Sequence, residues 1–127
     1  MTVREAYIYM FATLQTYWDF KQDVEVGDLL SGLDLWWYKD EKPSDLAYWN
    51  DWTKAVHSVS DSDEIDDVTA LNAIKALFNI YKKQGFQLNQ VSIYIDTRIN
   101  RLTESYKTRR TKTNLVAPRQ IKGANNA

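Results

Sequence analysis

The sequence contains no cysteine and a single histidine, His57, in 127 residues. The lack of cysteine excludes disulfide scaffolds, thiol catalysis, thiolate zinc sites and iron–sulfur clusters. One histidine excludes most imidazole metal sites and any mechanism that needs two imidazoles. Because His57 is predicted near the end of a helix, we interpret it as complementing the helix dipole rather than as a general base.

Glycine and proline are also scarce, with four and two residues, whereas loop-rich β-proteins and phosphate-cradling loops need more of them. No apolar run approaches the ~18 residues that a membrane span requires, and the first residues lack the apolar core of a secretory signal. We therefore expect a cytoplasmic protein that makes no membrane contact. No nucleophile motif or EF-hand template is matched, so we expect no catalytic residues, no metal site, no cofactor and no enzymatic activity.

Apolar residues recur every three or four positions in five segments, which is the pattern of amphipathic helices. We predict helices over about 3–21 and 25–37, a third that starts after a Ser44 cap, a fourth that ends at Gly85, and a fifth that Asn89 caps. No segment shows the alternation of a β-strand. The sequence therefore predicts an all-α, single-domain bundle of about five helices.

Particular residues are assigned to the helix ends and to the core. Thr2 and Glu5 match a capping box at the start of the first helix. The candidate caps of the fourth helix are Asp66, Asp67 and Thr69. The predicted buried side of the third helix consists of Leu46, Trp49, Trp52 or Thr53, and Val56. The predicted stripe of the fifth helix consists of Val91, Ile95, Ile99, Leu102 and Tyr106.

The apolar pattern ends near Lys107. Beyond it, basic residues are interspersed with Thr, Asn, Gly and Pro118, a composition that buries little and favours mobility. We predict a helical domain at 1–107 and a flexible basic tail at 108–127.

A formal net charge of −1 conceals a strong asymmetry along the chain. Residues 1–68 carry five basic and fifteen acidic side chains, whereas residues 69–127 carry eleven basic and two acidic ones. Such asymmetry indicates a charged partner for one half or attraction between the two halves. The alternative is that folding intermixes the charges and no net patch survives.

Aromatic residues are densest between 35 and 52. Trp36 and Trp37 are adjacent, so on a helix they point about 100° apart, and one of them, or Tyr38, is expected at the surface. Core packing is the alternative role for these rings. Aromatic platforms that stack on nucleic acid need basic neighbours, and the neighbours here are acidic, which argues against direct binding of RNA or DNA by this face.

Acidic residues interspersed with Trp and Tyr suit a basic protein partner, because charge complementarity speeds association and aromatic anchors supply affinity. Nuclease domains are typical basic partners, since their clefts attract phosphate. The candidate partner-binding residues in the acidic–aromatic segment are Asp34, Trp37, Asp40, Glu41, Asp45, Tyr48 and Asp51. A second set, in the acidic loop before the fourth helix, consists of Asp61, Asp63 and Glu64.

Three stretches of the first half resemble a known family. They read Glu5-Ala6-Tyr7-x-x-Met10-Phe11-x-x-Leu14-x-x-Tyr17-Trp18, Asp23-x-x-x-Gly27-Asp28-Leu29-Leu30-Ser31-Gly32-Leu33 and Pro43-Ser44-Asp45-x-Ala47-x-Trp49-x-Asp51-Trp52. Together they are similar to the immunity proteins of bacterial contact-dependent growth inhibition and polymorphic toxin systems. The resemblance covers about residues 4–56, is looser over the fourth helix, and does not reach the basic tail.

This resemblance implies a cytoplasmic protein, without activity of its own, that neutralises one cognate toxin by tight non-covalent binding. The toxin would be inhibited by covering its active site or its substrate-binding surface. No toxin-facing residue is carried over, because those residues vary with the toxin in such proteins. The alternative function is that of a nucleic-acid-associated accessory protein whose basic fifth helix and tail contact phosphates.

Overall fold

A computed structural model describes residues 1–34 and 46–119, with side chains up to Thr108. It contains five helices and, in those residues, no strand, which confirms the predicted all-α single-domain bundle. The helices are α1 (Val3–Lys21), α2 (Val24–Leu33), α3 (Leu46–Val59), α4 (Asp67–Lys82) and α5 (Asn89–Arg119). Within the described residues, no helix is both long and apolar enough to cross a membrane.

The ends of α1 and α4 form where local polar groups satisfy the first free backbone amides. Thr2 accepts a hydrogen bond from the Glu5 amide while the Glu5 carboxylate accepts one from the Thr2 amide, so the predicted capping box is confirmed. Asp66, one of the three candidate caps of α4, accepts from the Thr69 amide. Gly85 follows α4 with φ +103°, as its predicted role as a left-handed stop requires.

The predicted extent of α2 is wrong at its C-terminal end. The helix stops at Leu33, and Asp34 has a non-helical ψ of 146°. The fully buried Tyr7 on α1 donates its hydroxyl to the Leu33 carbonyl oxygen over 2.5 Å. This bond satisfies one of the carbonyls that a helix end leaves free, which favours termination at this point. Residues 35–37 of the predicted helix lie outside the described residues.

The core lies between α1, α3 and α4, with α2 and the first half of α5 packed against it. Trp52 and Val56 of α3 are fully buried, as predicted, but Leu46 is 57% exposed and Trp49 is only partly buried. Leu46 was predicted in the core because its spacing matches the stripe. It is the first residue of α3, and its side chain is exposed although that of Tyr48, two residues later, contacts Tyr81 of α4.

The fifth helix differs from its prediction at both ends. Asn89 is the first helical residue rather than the cap, and the Leu88 carbonyl accepts from the Ser92 amide. At the other end α5 continues to Arg119, past the predicted boundary at residue 107. Val91 and Ile95 are fully buried, whereas Tyr106, the last residue of the predicted stripe, is 37% exposed. The predicted mobility of residues 120–127 falls outside the described residues.

Two contacts show that α4 and α5 are antiparallel. Lys75 forms a 2.8 Å ion pair with Asp96, and the Tyr106 hydroxyl donates to Asp67 over 2.6 Å. Asp67 is the first residue of α4, so the 13 residues of α5 beyond Tyr106 extend past that end by about 20 Å.

Candidate functional site

The predicted partner-binding residues divide into three groups, of which two lie in described parts of the structure. Trp37, Asp40, Glu41 and Asp45 lie outside the described residues. Asp34, Tyr48 and Asp51 lie near the end of α2 and the start of α3, whereas Asp61, Asp63 and Glu64 lie in the loop after α3. Asp51 precedes the last residue of α3 by eight residues, so about 12 Å of helix separates the second group from the third. The described residues therefore form two separate candidate surfaces.

The first surface is a cleft of about 330 Å³ between the start of α3 and the end of α4. Its lining consists of Ala47, Tyr48, Asp51, Tyr81, Gln84 and Phe86. Tyr48 and Asp51 are both half-buried, one turn apart on the same face of α3. We call this the Tyr48–Asp51 cleft.

Three aromatic rings line one side of the Tyr48–Asp51 cleft. The Tyr48 and Tyr81 rings meet edge to face with centroids 6.0 Å apart, and the Tyr81 and Phe86 rings are 5.9 Å apart. Phe86 reaches this position through the turn after α4, in which its amide donates to the Tyr81 carbonyl and Gly85 supplies the positive φ. The rings form a continuous aromatic wall beside the Asp51 carboxylate.

Gly32 of α2 fixes the position of the Tyr48 ring. A Cβ atom at residue 32 would lie 2.5 Å from both Cζ and Oη of Tyr48, well inside van der Waals contact. Glycine at this position therefore allows α2 and the Tyr48 side chain to approach closely.

The buried Tyr7 hydroxyl lies beneath this surface. Burial is the main cause of a pKa raised above the ordinary tyrosine value, and electrostatic interactions with Tyr81, Asp34 and Tyr48 raise it further. The Tyr7 ring also contacts Trp49 and Trp52, with centroids 5.7 and 6.1 Å away. Asp34 and Tyr48, which are 14 residues apart in sequence, are thus brought near the same buried group.

The described tryptophans of the acidic–aromatic segment serve mainly the core. Trp52 is fully buried and its indole nitrogen donates to the Val3 carbonyl over 3.1 Å. Trp49 is partly buried against Tyr7. For these two residues the core-packing alternative is correct, and Tyr48 is the described aromatic residue of the candidate set that reaches the surface. Trp36 and Trp37 fall outside the described residues.

The second surface is the acidic loop 60–66. Asp61, Asp63 and Glu64 are exposed, while Ile65 inserts into the core and anchors the loop. The Ile65 amide donates to the Met1 carbonyl, and Glu64 pairs with the amino group of Met1 over 2.7 Å. Asp66 and Asp67 are occupied by the start of α4 and by Tyr106, which leaves Asp61 and Asp63 as the outward carboxylates.

In the part of the chain that the structure describes, folding does not pair the acidic side chains of residues 1–68 with the basic side chains of the second half. This part contains the ion pairs Met1–Glu64, Lys75–Asp96 and Lys107–Glu104. None of the three joins a carboxylate of residues 1–68 to a lysine or arginine of residues 69–108. Among the residues with described side chains, Asp51, Asp61 and Asp63 take part in none of these ion pairs.

Tyr81, Gln84 and Phe86 complete the cleft but were absent from the sequence-predicted site. The only local signal for them was Gly85, which predicted a turn and hence the end of α4 near α3. The contact of Tyr48 with Tyr81 depends on tertiary packing between residues 33 positions apart.

No family model, curated protein or solved structure matches the chain. Across the described ranges 1–34 and 46–119, no group of three or more His, Cys, Asp or Glu side chains is arranged to hold a metal ion. His57 is exposed in the last turn of α3. The assignment of the Tyr48–Asp51 cleft as a candidate site therefore depends on its geometry alone.

Proposed function

We propose that this protein is a cytoplasmic immunity protein that binds a basic toxin domain, a nuclease, and neutralises it by covering its active site or substrate-binding surface. The observation that carries the proposal is the Tyr48–Asp51 cleft, in which a carboxylate stands beside an aromatic wall. The resemblance of the first half of the chain to immunity proteins supports the same conclusion. The protein itself performs no reaction in this proposal.

The cleft has the chemistry to receive a cationic side chain of the partner. An arginine guanidinium can stack on Tyr48 or Phe86 while its N–H groups bind the Asp51 carboxylate. Such a charge-assisted contact, partly shielded from water by the rings, is stronger than an exposed ion pair. An arginine or lysine from a phosphate-binding cleft would then be unavailable to nucleic acid.

The outward carboxylates of the acidic loop have a different role in this proposal. Asp61 and Asp63 are exposed to solvent, so salt screens their interaction with a partner and each adds little affinity. Their contribution is to attract a basic protein over a distance of about one Debye length and so raise the association rate.

The direct test is binding to the protein encoded immediately upstream of this chain, measured with both proteins at full length. Asp51→Lys places a positive charge in the cleft and is expected to weaken binding by about 30-fold or more. Asp28→Lys is the matched control, because Asp28 is an exposed carboxylate on α2 outside the lining of the cleft. The control is expected to change affinity less than threefold.

Two results would contradict the proposal. One is no detectable binding between the two wild-type proteins. The other is binding that Asp51→Lys and Asp28→Lys weaken equally while circular dichroism shows both variants folded. Inhibition of the partner's nuclease activity, lost in Asp51→Lys, would distinguish neutralisation from mere association.

A second candidate function rests on the length of α5. The helix passes the start of α4 by about 20 Å, and residues 107–119 contain five basic and no acidic side chains. This segment suits non-specific contact with nucleic-acid phosphates. It predicts an affinity for generic RNA that falls steeply with salt and is lost on truncation after Tyr106; RNA binding that survives this truncation would refute it.

A further inference from the structure

Arg98 lies between α1 and α5 and, among the residues with described side chains, forms no ion pair with a carboxylate. Arg98 donates to the hydroxyl oxygens of Tyr94 and Tyr9, over 3.4 and 3.3 Å. Its guanidinium carbon lies 5.9 Å from the centroid of the Tyr94 ring, and Tyr94 itself packs on Tyr17 of α1 with centroids 5.1 Å apart. These contacts hold the half-buried Arg98 side chain in one place.

The acidic residue closest to Arg98 in sequence is already paired. Asp96 forms its ion pair with Lys75 of α4, and at two residues' separation it points to a different side of α5. Among the residues with described side chains, none of the ion pairs includes Arg98. A partly buried positive charge whose polar neighbours are neutral hydroxyls is costly unless further acceptors satisfy it.

A pocket of about 210 Å³ opens beside this guanidinium. It is lined by Tyr94, Arg98, Arg101 and Leu102. Arg101 follows Arg98 by three residues, so both arginines lie on the same face of α5, and Arg101 is exposed at the rim. An arginine has five N–H donors, and the two tyrosine hydroxyls accept from only two of them.

We propose that this pocket binds a phosphate group, with Arg98 as the fixed forked donor and Arg101 as a second cation that closes over it. Two guanidinium groups match the charge of a phosphate dianion, and the planar fork of arginine matches its oxygen geometry. The Tyr94 ring and Leu102 shield one side from water. The phosphate belongs to a small molecule or to a nucleic-acid backbone, and the experiment separates these sources.

The experiment titrates the full-length protein with inorganic phosphate and, separately, with a short single-stranded oligonucleotide. The arginine Nε–H resonances are followed by NMR. We expect saturable shifts of the Arg98 resonance, with a dissociation constant of about 1 mM or tighter for at least one probe. Saturation by phosphate alone identifies a small-molecule site, whereas saturation by the oligonucleotide alone identifies a backbone phosphate.

Variants separate a binding role from a purely structural one. Arg98→Lys keeps the charge but loses the fork, and Arg101→Gln leaves the contacts of Arg98 with Tyr9 and Tyr94 intact. Each is expected to weaken binding by about tenfold. Lys54→Gln, which removes an exposed cation from α3, should have no effect.

Three results would overturn the proposal. The first is no saturable shift with either probe. The second is equal weakening by Arg101→Gln and the Lys54→Gln control. The third is binding at full strength in Arg98→Lys. Because Arg101→Gln does not disturb the packing of α5 on α1, the conclusion does not depend on Arg98→Lys remaining folded.

Discussion

Removal of the Tyr7 hydroxyl tests how the end of α2 is held against the bundle. In Tyr7→Phe the ring keeps its contacts with Trp49 and Trp52, and only the 2.5 Å hydrogen bond to the Leu33 carbonyl is lost. A buried carbonyl that loses its donor costs about 1–3 kcal/mol. For a chain of this length each kcal/mol lowers the melting temperature by roughly 4 °C.

The matched control is Tyr106→Phe, which makes the same chemical change at the surface. The Tyr106 hydroxyl donates to Asp67 over 2.6 Å, but the bond is exposed to water, which can replace it. We expect this variant to lose less than about 1 kcal/mol. Urea denaturation gives both free energies of unfolding, and equal m-values would show that the variants unfold from the same state.

The comparison has a definite refuting result. If Tyr7→Phe is destabilised no more than Tyr106→Phe, the hydroxyl of Tyr7 does not secure the end of α2. A crystal structure of Tyr7→Phe would then be expected to show the last turn of α2 unchanged. If the reasoning is correct, hydrogen exchange in residues 30–33 accelerates in Tyr7→Phe and not in Tyr106→Phe.

Two further predictions concern ionisation and capping. The pKa of Tyr7 is raised, chiefly by burial, so its stabilisation is complete below the unfolded tyrosine pKa of about 10 and is lost as pH rises towards the folded pKa. Above pH 10 this one group should lower the free energy of unfolding by about 1.4 kcal/mol per pH unit, and the slope measured for Tyr7→Phe should be smaller by that amount. Asp66→Ala removes the cap of α4 and should cost about 0.5–2 kcal/mol. Because hydrogen bonds from Thr69 lower the pKa of Asp66, that cost should be seen at neutral pH and disappear as pH falls through the folded pKa; a loss independent of pH would contradict the charged-cap explanation.

The start of α1, the cap of α4 and the stop at Gly85 could be predicted from sequence because each is encoded within a few residues. The capping box is formed by Thr2 and Glu5 alone, without any contact from the rest of the chain. Gly85 follows the end of α4 with a positive φ, which is a local property of glycine. Local periodicity of apolar residues likewise predicted the five helices and their order.

The candidate site depended on contacts that local periodicity does not contain. The spacing of Leu46 matched a buried stripe, but burial is decided by where α3 enters the bundle. The end of α2 was set by Tyr7, which lies 26 residues before the carbonyl that it binds. Likewise, Tyr48 and Asp51 were selected for their chemistry, whereas Tyr81 and Phe86 join them only because α4 packs beside α3.

The basic segment of α5 can compete with a basic partner for one of the two acidic surfaces more than for the other. This difference predicts which surface contributes more to binding. The acidic loop lies where α5 leaves the bundle, as the contact between Tyr106 and Asp67 shows. The positive segment 107–119 therefore starts near the end of the acidic loop, where Glu64 and Tyr106 line one pocket, and a basic partner must compete with it for the negative charge there. Asp51 lies in α3, eight residues and about 12 Å of helix before the end that leads into the loop, and is therefore farther from this segment. Substitution of Asp51 should therefore raise the dissociation rate of a partner, whereas substitution of the loop carboxylates should lower only the association rate, and only at low salt.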